Sequence, residues 1–263
     1  MKYRNNDIVL LLTATVTPQF NYMAHKPTER LEHYISAIKW YLENTPYKLV
    51  IGENSNYCQL CDTLDRKYRE RVELISWQET NTSRTFGYNE FLILKKVYQQ
   101  SLFVKEAKLI IKITGRLIVK NIKWHIRQLQ LFSGDYIAAD IHRSLVYIDS
   151  RFFAFTVSKY EEILAKEDAC CAVFWDDIHS GKSRNGDDGK YVDFESTIGA
   201  VIKESFIADK STFKYLWFPI YIEGIEGYKG IQYRGDLYTR LILACKKLVH
   251  LIDWYFVVLP SIK

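Results

Sequence analysis

Polar side chains follow four apolar segments of the sequence, each at the point where a predicted strand ends. They are Thr13, Thr15 and Thr17, then Glu53-Asn54-Ser55-Asn56, then Gln78–Asn81, and finally Thr114-Gly115-Arg116. Hydroxyls and amides at such ends can bind a nucleobase and ribose, and the Glu53 carboxylate can accept hydrogen bonds from either. The Arg116 guanidinium can bind a diphosphate through two parallel hydrogen bonds. The alternative for each turn is that polar residues simply end a strand.

Two further pairs of side chains are of types that bind metals. Asp140 and His142 alternate onto one side of an extended chain, where they can ligate a cation together, or Asp140 can bind a hydroxyl. Cys58 and Cys61 have two residues between them, but no second pair follows at zinc-finger spacing. Because no third ligand stands at a recognisable distance from either pair, the sequence predicts no metal site.

The elements that must position the four turns alternate between strands and helices. We predict strands at Asp7–Ala14, Tyr47–Gly52, Val72–Ser76 and Ala107–Ile113, with helices at Thr28–Glu43, Cys58–Glu70 and Tyr88–Gln100 between them. This alternation is typical of βαβ units and a mainly parallel sheet. Ligands of such sheets bind outside the carboxyl ends of the strands, so the four turns are expected to converge.

The second half of the chain is more elaborate, with shorter elements. We predict helices at Trp124–Phe132, Ser158–Ala165, Ser196–Ser205 and Leu237–Phe256, and strands at Leu117–Val119, Tyr136–Asp140, Leu145–Ile148, Phe152–Thr156 and Phe213–Ile222. A flexible loop is expected at His179–Lys190, which holds three glycines. No linker-like composition divides the chain, so we expect a single α/β domain over residues 1–263.

Charge and composition narrow the classes of function. The 263 residues carry a formal net charge of +5, but cations and anions are interleaved, so no nucleic-acid partner is expected. No uncharged apolar run approaches the roughly 18 residues of a membrane span. The five cysteines are an odd count with no disulfide pattern, which favours a reducing, cytoplasmic location.

The order of these segments resembles nucleotide-sugar glycosyltransferases of the GT-A fold. The phrases Glu53-Asn54-Ser55-Asn56, Gly87-Tyr88-Asn89-Glu90 and Lys112-Ile113-Thr114-Gly115-Arg116 carry the resemblance, together with Arg84 ahead of the second phrase. More narrowly, they resemble bacterial surface-polysaccharide enzymes with Thr-Gly-Arg in place of the Asp-x-Asp metal motif. The resemblance implies a GT-A-like, Rossmann-like sheet flanked by helices. Residues 1–121 would form the nucleotide-sugar half, and residues 122–263 the acceptor half.

The resemblance also implies roles for the residues that match it. A donor site is implied at Thr13, Thr15, Glu53, Asn54, Ser55, Arg84, Asn89, Lys112, Thr114, Gly115 and Arg116. Since Thr114-Gly115-Arg116 offers no carboxylate for Mg²⁺ or Mn²⁺, Arg116 is expected to neutralise the leaving diphosphate, and no cofactor is expected. The alternative for Arg116 is an ordinary surface arginine after a strand.

The residues expected to serve in proton transfer and acceptor binding lie in the second half of the chain. Glu195 resembles the acid that inverting enzymes of this fold place after their acceptor loop, and Asp193 is the alternative base. Both acids would also be favoured at a helix N-terminus by the helix dipole alone. Acceptor contacts are expected from Asp140, Asp149 and Arg151.

The expected activity is hexosyl transfer from a nucleoside diphosphate sugar to a glycan acceptor in O-antigen or capsule synthesis, with inversion and without a metal. Lipid-linked acceptors would bring the enzyme to the inner face of the membrane. The last helix can serve there as a basic amphipathic helix, or it can simply pack on the core. The alternative function is a non-catalytic nucleotide- or carbohydrate-binding module. A nucleotidyltransferase is disfavoured because it needs paired carboxylates.

Overall fold

A seven-stranded sheet forms the centre of the fold in the computed structural model, which describes residues 3–18, 26–80, 86–141, 148–165, 194–225 and 230–258. Its strands are β1 (Ile8–Ala14), β2 (Lys48–Glu53), β3 (Val72–Ser76), β4 (Leu109–Thr114), β6 (Ile137–Ile141), β7 (Ile148–Thr156) and β8 (Phe213–Tyr215). A three-stranded sheet contains β5 (Leu117–Val119), β9 (Ile222–Ile225) and β10 (Gln232–Tyr233). The α-helices are α1 (Pro27–Asn44), α2 (Phe86–Gln100), α3 (Leu102–Glu106), α4 (Ile122–Leu129), α5 (Val157–Leu164), α6 (Phe194–Ala208) and α7 (Leu237–Asp253).

The large sheet is mostly parallel, with the order β3-β2-β1-β4-β7-β6-β8. β1 pairs in parallel with β2 and β4, β2 with β3, and β6 with β8. β7 runs antiparallel to both of its neighbours, β4 and β6. The carboxyl ends of β4 and β6 therefore meet the beginning of β7 at one edge of the sheet.

Both faces of the sheet are covered, which explains why its central strands are almost continuously apolar. All seven residues of β1 are buried. Leu10 and Leu12 belong to the core cluster that includes Tyr34 and Ile38 of α1. Leu11 belongs to the opposite cluster, where α2 contributes Phe91 and Leu94. The alternation of side chains along a strand thus supplies two apolar faces from one run of residues.

The mixed α/β class, the mainly parallel sheet and the central place of β4 are confirmed. The predicted helix at Cys58–Glu70 is wrong: Cys58–Cys61 and Arg66–Arg71 form two separate 3₁₀ segments. The predicted strand at Phe213–Ile222 is also wrong, because β8 ends at Tyr215 and β9 begins at Ile222. Residues 142–147, which hold most of the predicted strand ending at Ile148, lie outside the described residues, as does the loop at 179–190.

The last helix departs from its predicted packing on the core. Trp254 and Lys247 are buried, but Leu241, Leu248 and Ile252 are 53–60% exposed. The core interpretation is therefore confirmed for Leu251 and Trp254 and wrong for Leu241, Leu248 and Ile252. In the described part of the chain, no helix is both long enough and apolar enough to cross a membrane.

Candidate functional site

The strand ends that carry the predicted polar turns come together at one edge of the large sheet. The parallel register sets Ala14 beside Glu53 and Thr13 beside Thr114, and a β-bridge joins Ser55 to Gln78. The antiparallel strand β7 brings its own first residues to the same edge, since Ile113 pairs with Phe152 and Ile141 with Ile148. We call this the carboxyl edge, although β7 contributes its amino end. It unites side chains that are up to 140 residues apart in sequence.

Glu53 organises the loops that leave β1, β2 and β3. Its side chain is fully buried, and Oε1 accepts hydrogen bonds from the Val16 amide (3.1 Å) and from the amide and hydroxyl of Ser55. Oε2 accepts from the Tyr57 amide (2.7 Å) and the Ser76 hydroxyl (3.0 Å). A buried carboxylate with this many donors is well compensated. Glu53 therefore shapes the edge by joining the loops after β1 and β2 to the end of β3.

Arg30 of α1 binds the backbone of the loop that follows β1. Its Nε and Nη2 donate to the Thr15 carbonyl at 2.9 and 2.7 Å, and the Tyr34 hydroxyl accepts from the Thr15 amide at 2.9 Å. The Thr15 hydroxyl donates to Asn54 Oδ1 at 2.7 Å, which ties the first loop to the second. Burial lowers the pKa of Arg30, and the positive charge of Arg116 lowers it further. Arg30 Nη2 also donates to the Tyr34 hydroxyl at 3.4 Å, and the Arg116 guanidinium lies over the ring of the same tyrosine.

Arg116 follows Gly115 in the tight turn between β4 and β5. The Gly115 amide donates to the Thr13 carbonyl at 2.9 Å, and a Cβ at Gly115 would stand 2.5 Å from that same oxygen. Only glycine lets the two backbones approach so closely. The Arg116 side chain is 8% exposed, and its guanidinium carbon lies 5.6 Å from the centroid of the Tyr34 ring.

The buried guanidinium nitrogens at this turn are incompletely satisfied. Within the described ranges, neither Nε nor Nη1 of Arg116 has a hydrogen-bond partner, and the same holds for Nη1 of Arg30. A buried donor left unpaired costs about 1–3 kcal/mol, and more when it is charged. Two neighbouring cations with unused donors are the arrangement that an anion with several oxygens would satisfy.

Lys112 lies beneath the edge, in an ion pair with Glu90 of α2. The Lys112 side chain is fully buried, its Nζ contacts Glu90 Oε1, and it donates to the Ser150 carbonyl at 2.5 Å. The same Glu90 oxygen accepts from the Thr13 hydroxyl at 3.0 Å, and the Thr114 hydroxyl lies 3.5 Å from the ammonium. These contacts connect β1, β4, β7 and α2. Lys112 thus neutralises a carboxylate under the edge, and Asn89, its neighbour in sequence, lies half-buried in α2.

Glu195, in the first turn of α6, reaches the edge through Ser150. The Ser150 hydroxyl donates to Glu195 Oε1 at 2.5 Å, while the Ser150 carbonyl accepts from Lys112. Ser150 therefore links Glu195, the predicted base, to Lys112 of β4, and β4 leads to Arg116. Asp193 and Arg84 lie outside the described residues.

The predicted acceptor residues occupy the far side of the same edge, each with a charged partner. Arg151 donates to both oxygens of Asp149, with Nε and Nη2 at 2.7 and 2.6 Å. Asp140 accepts a hydrogen bond from the Tyr215 hydroxyl. Its Oδ1 also lies 2.9 Å from Nζ of Lys247, a buried residue of α7. Burial lowers the pKa of Lys247, and Asp140 opposes that shift. These pairs leave this side of the edge polar without a large excess of either charge.

His125 of α4 is a fully buried titratable group behind this region. Its ring centroid lies 4.9 Å from that of Phe152, and burial, reinforced by the charge of Lys247, lowers its pKa to about 3. The imidazole is therefore neutral at physiological pH.

No cluster of three or more His, Cys, Asp and Glu side chains suited to a cation occurs in the part of the chain that the structure describes. His142, the proposed companion of Asp140, lies outside those residues. Independence from metal therefore stays a prediction.

Sequence reasoning did not assign a role to five residues that build the edge, which are Arg30, Tyr34, Glu90, Ser150 and Lys247. One signal was available for the first two. Arg30 and Tyr34 are four residues apart on the apolar stripe of α1, so a cation was aligned with the buried face. Glu90 belongs to the phrase Gly87-Tyr88-Asn89-Glu90, but no local pattern distinguishes Ser150 and Lys247, because their partners come from distant elements.

Comparisons with known proteins give a likeness in fold. No protein-family model matches the sequence, and no curated protein matches it. Among solved structures, an active-site mutant of the galactosyltransferase LgtC shares 10% identity at a TM-score of 0.50, covering 90% of this chain and 95% of that one. LgtC with donor and acceptor sugar analogues covers the same shares at 9% identity and a TM-score of 0.49. The 4-diphosphocytidyl-2C-methyl-D-erythritol synthase of Anaerococcus prevotii aligns at 12% identity over 91% of this chain and 95% of that one, with a TM-score of 0.41.

Proposed function

We propose that this protein transfers a sugar from a nucleoside diphosphate sugar to a glycan acceptor. The observation that carries the proposal is the buried Arg116, with guanidinium donors that have no partner among the described residues, at the carboxyl edge of a mainly parallel sheet. That edge is where open α/β sheets bind their ligands. The likeness of the fold to a galactosyltransferase supports the same assignment.

The donor would bind over β1, β2 and β4. In this proposal Arg116 and Arg30 share the diphosphate, and Gly115 allows the turn that carries Arg116 to pack closely against Thr13. Thr13, Thr15, Asn54 and Ser55 stand where the donor's ribose and base would bind. The Thr15 hydroxyl donates to Asn54 and the Ser55 hydroxyl accepts from the Thr17 amide, and these bonds hold the first two loops together. Asn89 and Arg84 are assigned to the donor through the resemblance alone.

A divalent cation does not fit the turn at Thr114-Gly115-Arg116. The turn offers a hydroxyl and a permanent cation, whereas Mg²⁺ and Mn²⁺ favour carboxylate oxygens. We therefore propose that the guanidinium neutralises the negative charge that develops on the departing diphosphate. Arginine suits this role because it stays ionised and matches two phosphate oxygens at once.

Glu195 is proposed as the general base for an inverting transfer, with Asp193 as the alternative. The acceptor oxygen would attack the anomeric carbon, the bond from that carbon to the diphosphate oxygen would break, and the proton would pass to the carboxylate. The hydrogen bond from Ser150 would hold Glu195 in one orientation. Asp140, Asp149 and Arg151 would border the acceptor. We assign the biological setting, O-antigen or capsule synthesis with a lipid-linked acceptor at the inner face of the membrane, on the resemblance alone.

A turnover assay tests the proposal. Release of nucleoside diphosphate is measured from a panel of UDP-, GDP-, CDP- and TDP-sugars, with and without glycan acceptors and with and without EDTA. We expect release that depends on one donor and an acceptor and that survives EDTA. Arg116→Ala and Glu195→Gln should each lower it about 100-fold or more, as for loss of a charge-stabilising or proton-transfer group. The exposed Arg66→Ala is the control.

Three results would contradict parts of this assignment. Nucleotide binding without release in any donor and acceptor combination would indicate a binding module. Loss of activity in EDTA that Mn²⁺ restores would refute metal independence. Rates within a few-fold of the unmodified protein in both variants would show that the roles are assigned to the wrong residues.

A further inference from the structure

Strand β7 leaves the regular pairing of the large sheet where it meets the carboxyl edge. It advances from Phe153 to Ile148 while β6 advances only from Ala139 to Ile141, and its pairing with β4 ends at the residue before Phe153. The register thus gives residues 149–151 no partner in either of these described strands. Such a bulge bends a strand and redirects its side chains, and bulges are frequent beside active sites.

Lys112 of β4 supplies a backbone contact that the sheet does not give to this bulge. Its Nζ donates to the Ser150 carbonyl at 2.5 Å, and Ser150 is only 7% exposed. A buried carbonyl that loses its hydrogen bond in the sheet needs another donor, because leaving it unpaired costs free energy. The ammonium of Lys112 therefore anchors the backbone of the bulge to β4.

The ammonium that forms this anchor is closed to solvent and surrounded by acceptors. The Lys112 side chain is fully buried. Besides the Ser150 carbonyl, its Nζ contacts Oε1 of Glu90 and lies 3.5 Å from the Thr114 hydroxyl. An ammonium has three hydrogens to donate, and each can be directed at one of these oxygens. A phosphate group would have to displace one of them to reach Lys112.

The anchored bulge also carries the hydroxyl that holds the proposed base. The Ser150 hydroxyl donates to Glu195 Oε1 at 2.5 Å, so one residue contacts Lys112 through its carbonyl and Glu195 through its side chain. A hydrogen bond to a carboxylate favours its ionised form and fixes its orientation. A bulge that moved away from β4 would weaken this bond.

On the basis of the function proposed above, we propose that Lys112 is a positioning residue for Glu195. Lys112 anchors the bulge at residues 149–151, and the bulge places Ser150 where its hydroxyl orients the carboxylate. Glu90 keeps the buried ammonium paired. Lys112 thereby acts on the transfer through Ser150 rather than through a contact with the phosphates of the donor.

Steady-state kinetics over a range of pH test this role in two variants. Ser150→Ala removes the hydroxyl, and Lys112→Met combined with Glu90→Gln removes both charges, so that neither is left buried alone. We expect kcat to fall about 10- to 100-fold in each, as for a reacting group that is held out of place. The dissociation constant of the nucleoside diphosphate should stay near that of the unmodified protein. The acid limb of the kcat profile should move up by about one pH unit, the effect of losing one hydrogen bond to a charged group.

Two further variants separate positioning from general damage to the fold. Ser150→Thr keeps the hydroxyl and should restore both kcat and the pH profile. Lys48→Met combined with Glu106→Gln is the matched control, because it removes an ion pair at the first residue of β2, at the opposite end of the strand from the carboxyl edge. This control should leave kcat and its pH profile unchanged. Circular dichroism checks that each variant is folded.

Carbon-13 NMR of protein labelled at its glutamate carboxyls measures the same effect without turnover. Glu195→Gln identifies the signal, and the pKa of Glu195 should rise by about one unit in Ser150→Ala and in the variant at Lys112 and Glu90. Absence of turnover with every donor would refute the proposed function but would leave this measurement intact. An unchanged pKa of Glu195 in either variant would overturn the positioning role. A variant at Lys112 and Glu90 whose main defect is weaker nucleotide binding would overturn it too and would assign Lys112 to the donor.

Discussion

Replacing Arg116 with methionine should make the free protein more stable while weakening its binding of nucleotides. Methionine matches the side chain as far as the position of Nε, so it keeps the aliphatic contacts but removes the charge and the donors. The guanidinium is 8% exposed, and two of its nitrogens lack partners among the described residues. Folding without a ligand therefore leaves a charged group poorly compensated.

The size of both effects follows from these contacts. Two unpaired buried donors cost about 1–3 kcal/mol each, and the contact with the Tyr34 ring returns up to about 2 kcal/mol. We expect a net gain of about 1–2 kcal/mol in the free energy of unfolding, or roughly 2–8 °C in Tm for a domain of this size. A hydrogen bond to a charged group contributes about 1.5–3 kcal/mol, so affinity for the diphosphate should fall about 10- to 150-fold.

Thermal unfolding with and without UDP, GDP, CDP or TDP measures both quantities. In the unmodified protein, the matching nucleotide should raise Tm, since a ligand that binds only the folded state stabilises it. Arg116→Met should start from a higher Tm and gain little from that nucleotide, whereas the exposed Arg66→Met should behave like the unmodified protein. A lower starting Tm in Arg116→Met, or an undiminished gain with nucleotide, would refute the reasoning.

Three further predictions concern the support of the edge. Gly115→Ala should lower both Tm and nucleotide affinity, because the Cβ of alanine would stand 2.5 Å from the Thr13 carbonyl oxygen. An unchanged Tm and an unchanged shift with nucleotide would contradict this close approach. Lys112→Met should lower the free energy of unfolding by about 3 kcal/mol by leaving the partly buried Glu90 without its cation, and added Glu90→Gln should recover part of that loss in urea titrations. His125 has a pKa of about 3 in the folded state against 6.5 when exposed, so the unfolded chain binds the extra proton between those values. Stability should then fall by up to about 1.4 kcal/mol per unit as pH drops below 6.5, and His125→Phe should flatten this dependence in urea titrations at pH 5 and 7.

Local patterns in the sequence determined the first part of the fold. The segments around Leu10 and Ile111 are apolar because both faces of these strands are buried. The helix containing Leu31 to Leu42 can be predicted from the spacing of its own apolar residues. The polar turns could be placed at one edge because parallel strands have all their carboxyl ends on the same side. Those inferences depend on apolar residues that repeat every two to four positions, and this pattern is visible in a single sequence.

Tertiary structure alone decided which of these side chains hydrogen-bond to partners from distant elements. The Glu53 oxygens accept hydrogen bonds from two loops and from the end of β3, and Lys112 forms an ion pair with Glu90. The link from Lys112 through Ser150 to Glu195 depends on the antiparallel insertion of β7, which brings together residues 38 and 45 positions apart. Each of these contacts joins residues from different helices or strands, so it depends on how those elements pack. A periodic pattern along the sequence cannot predict it.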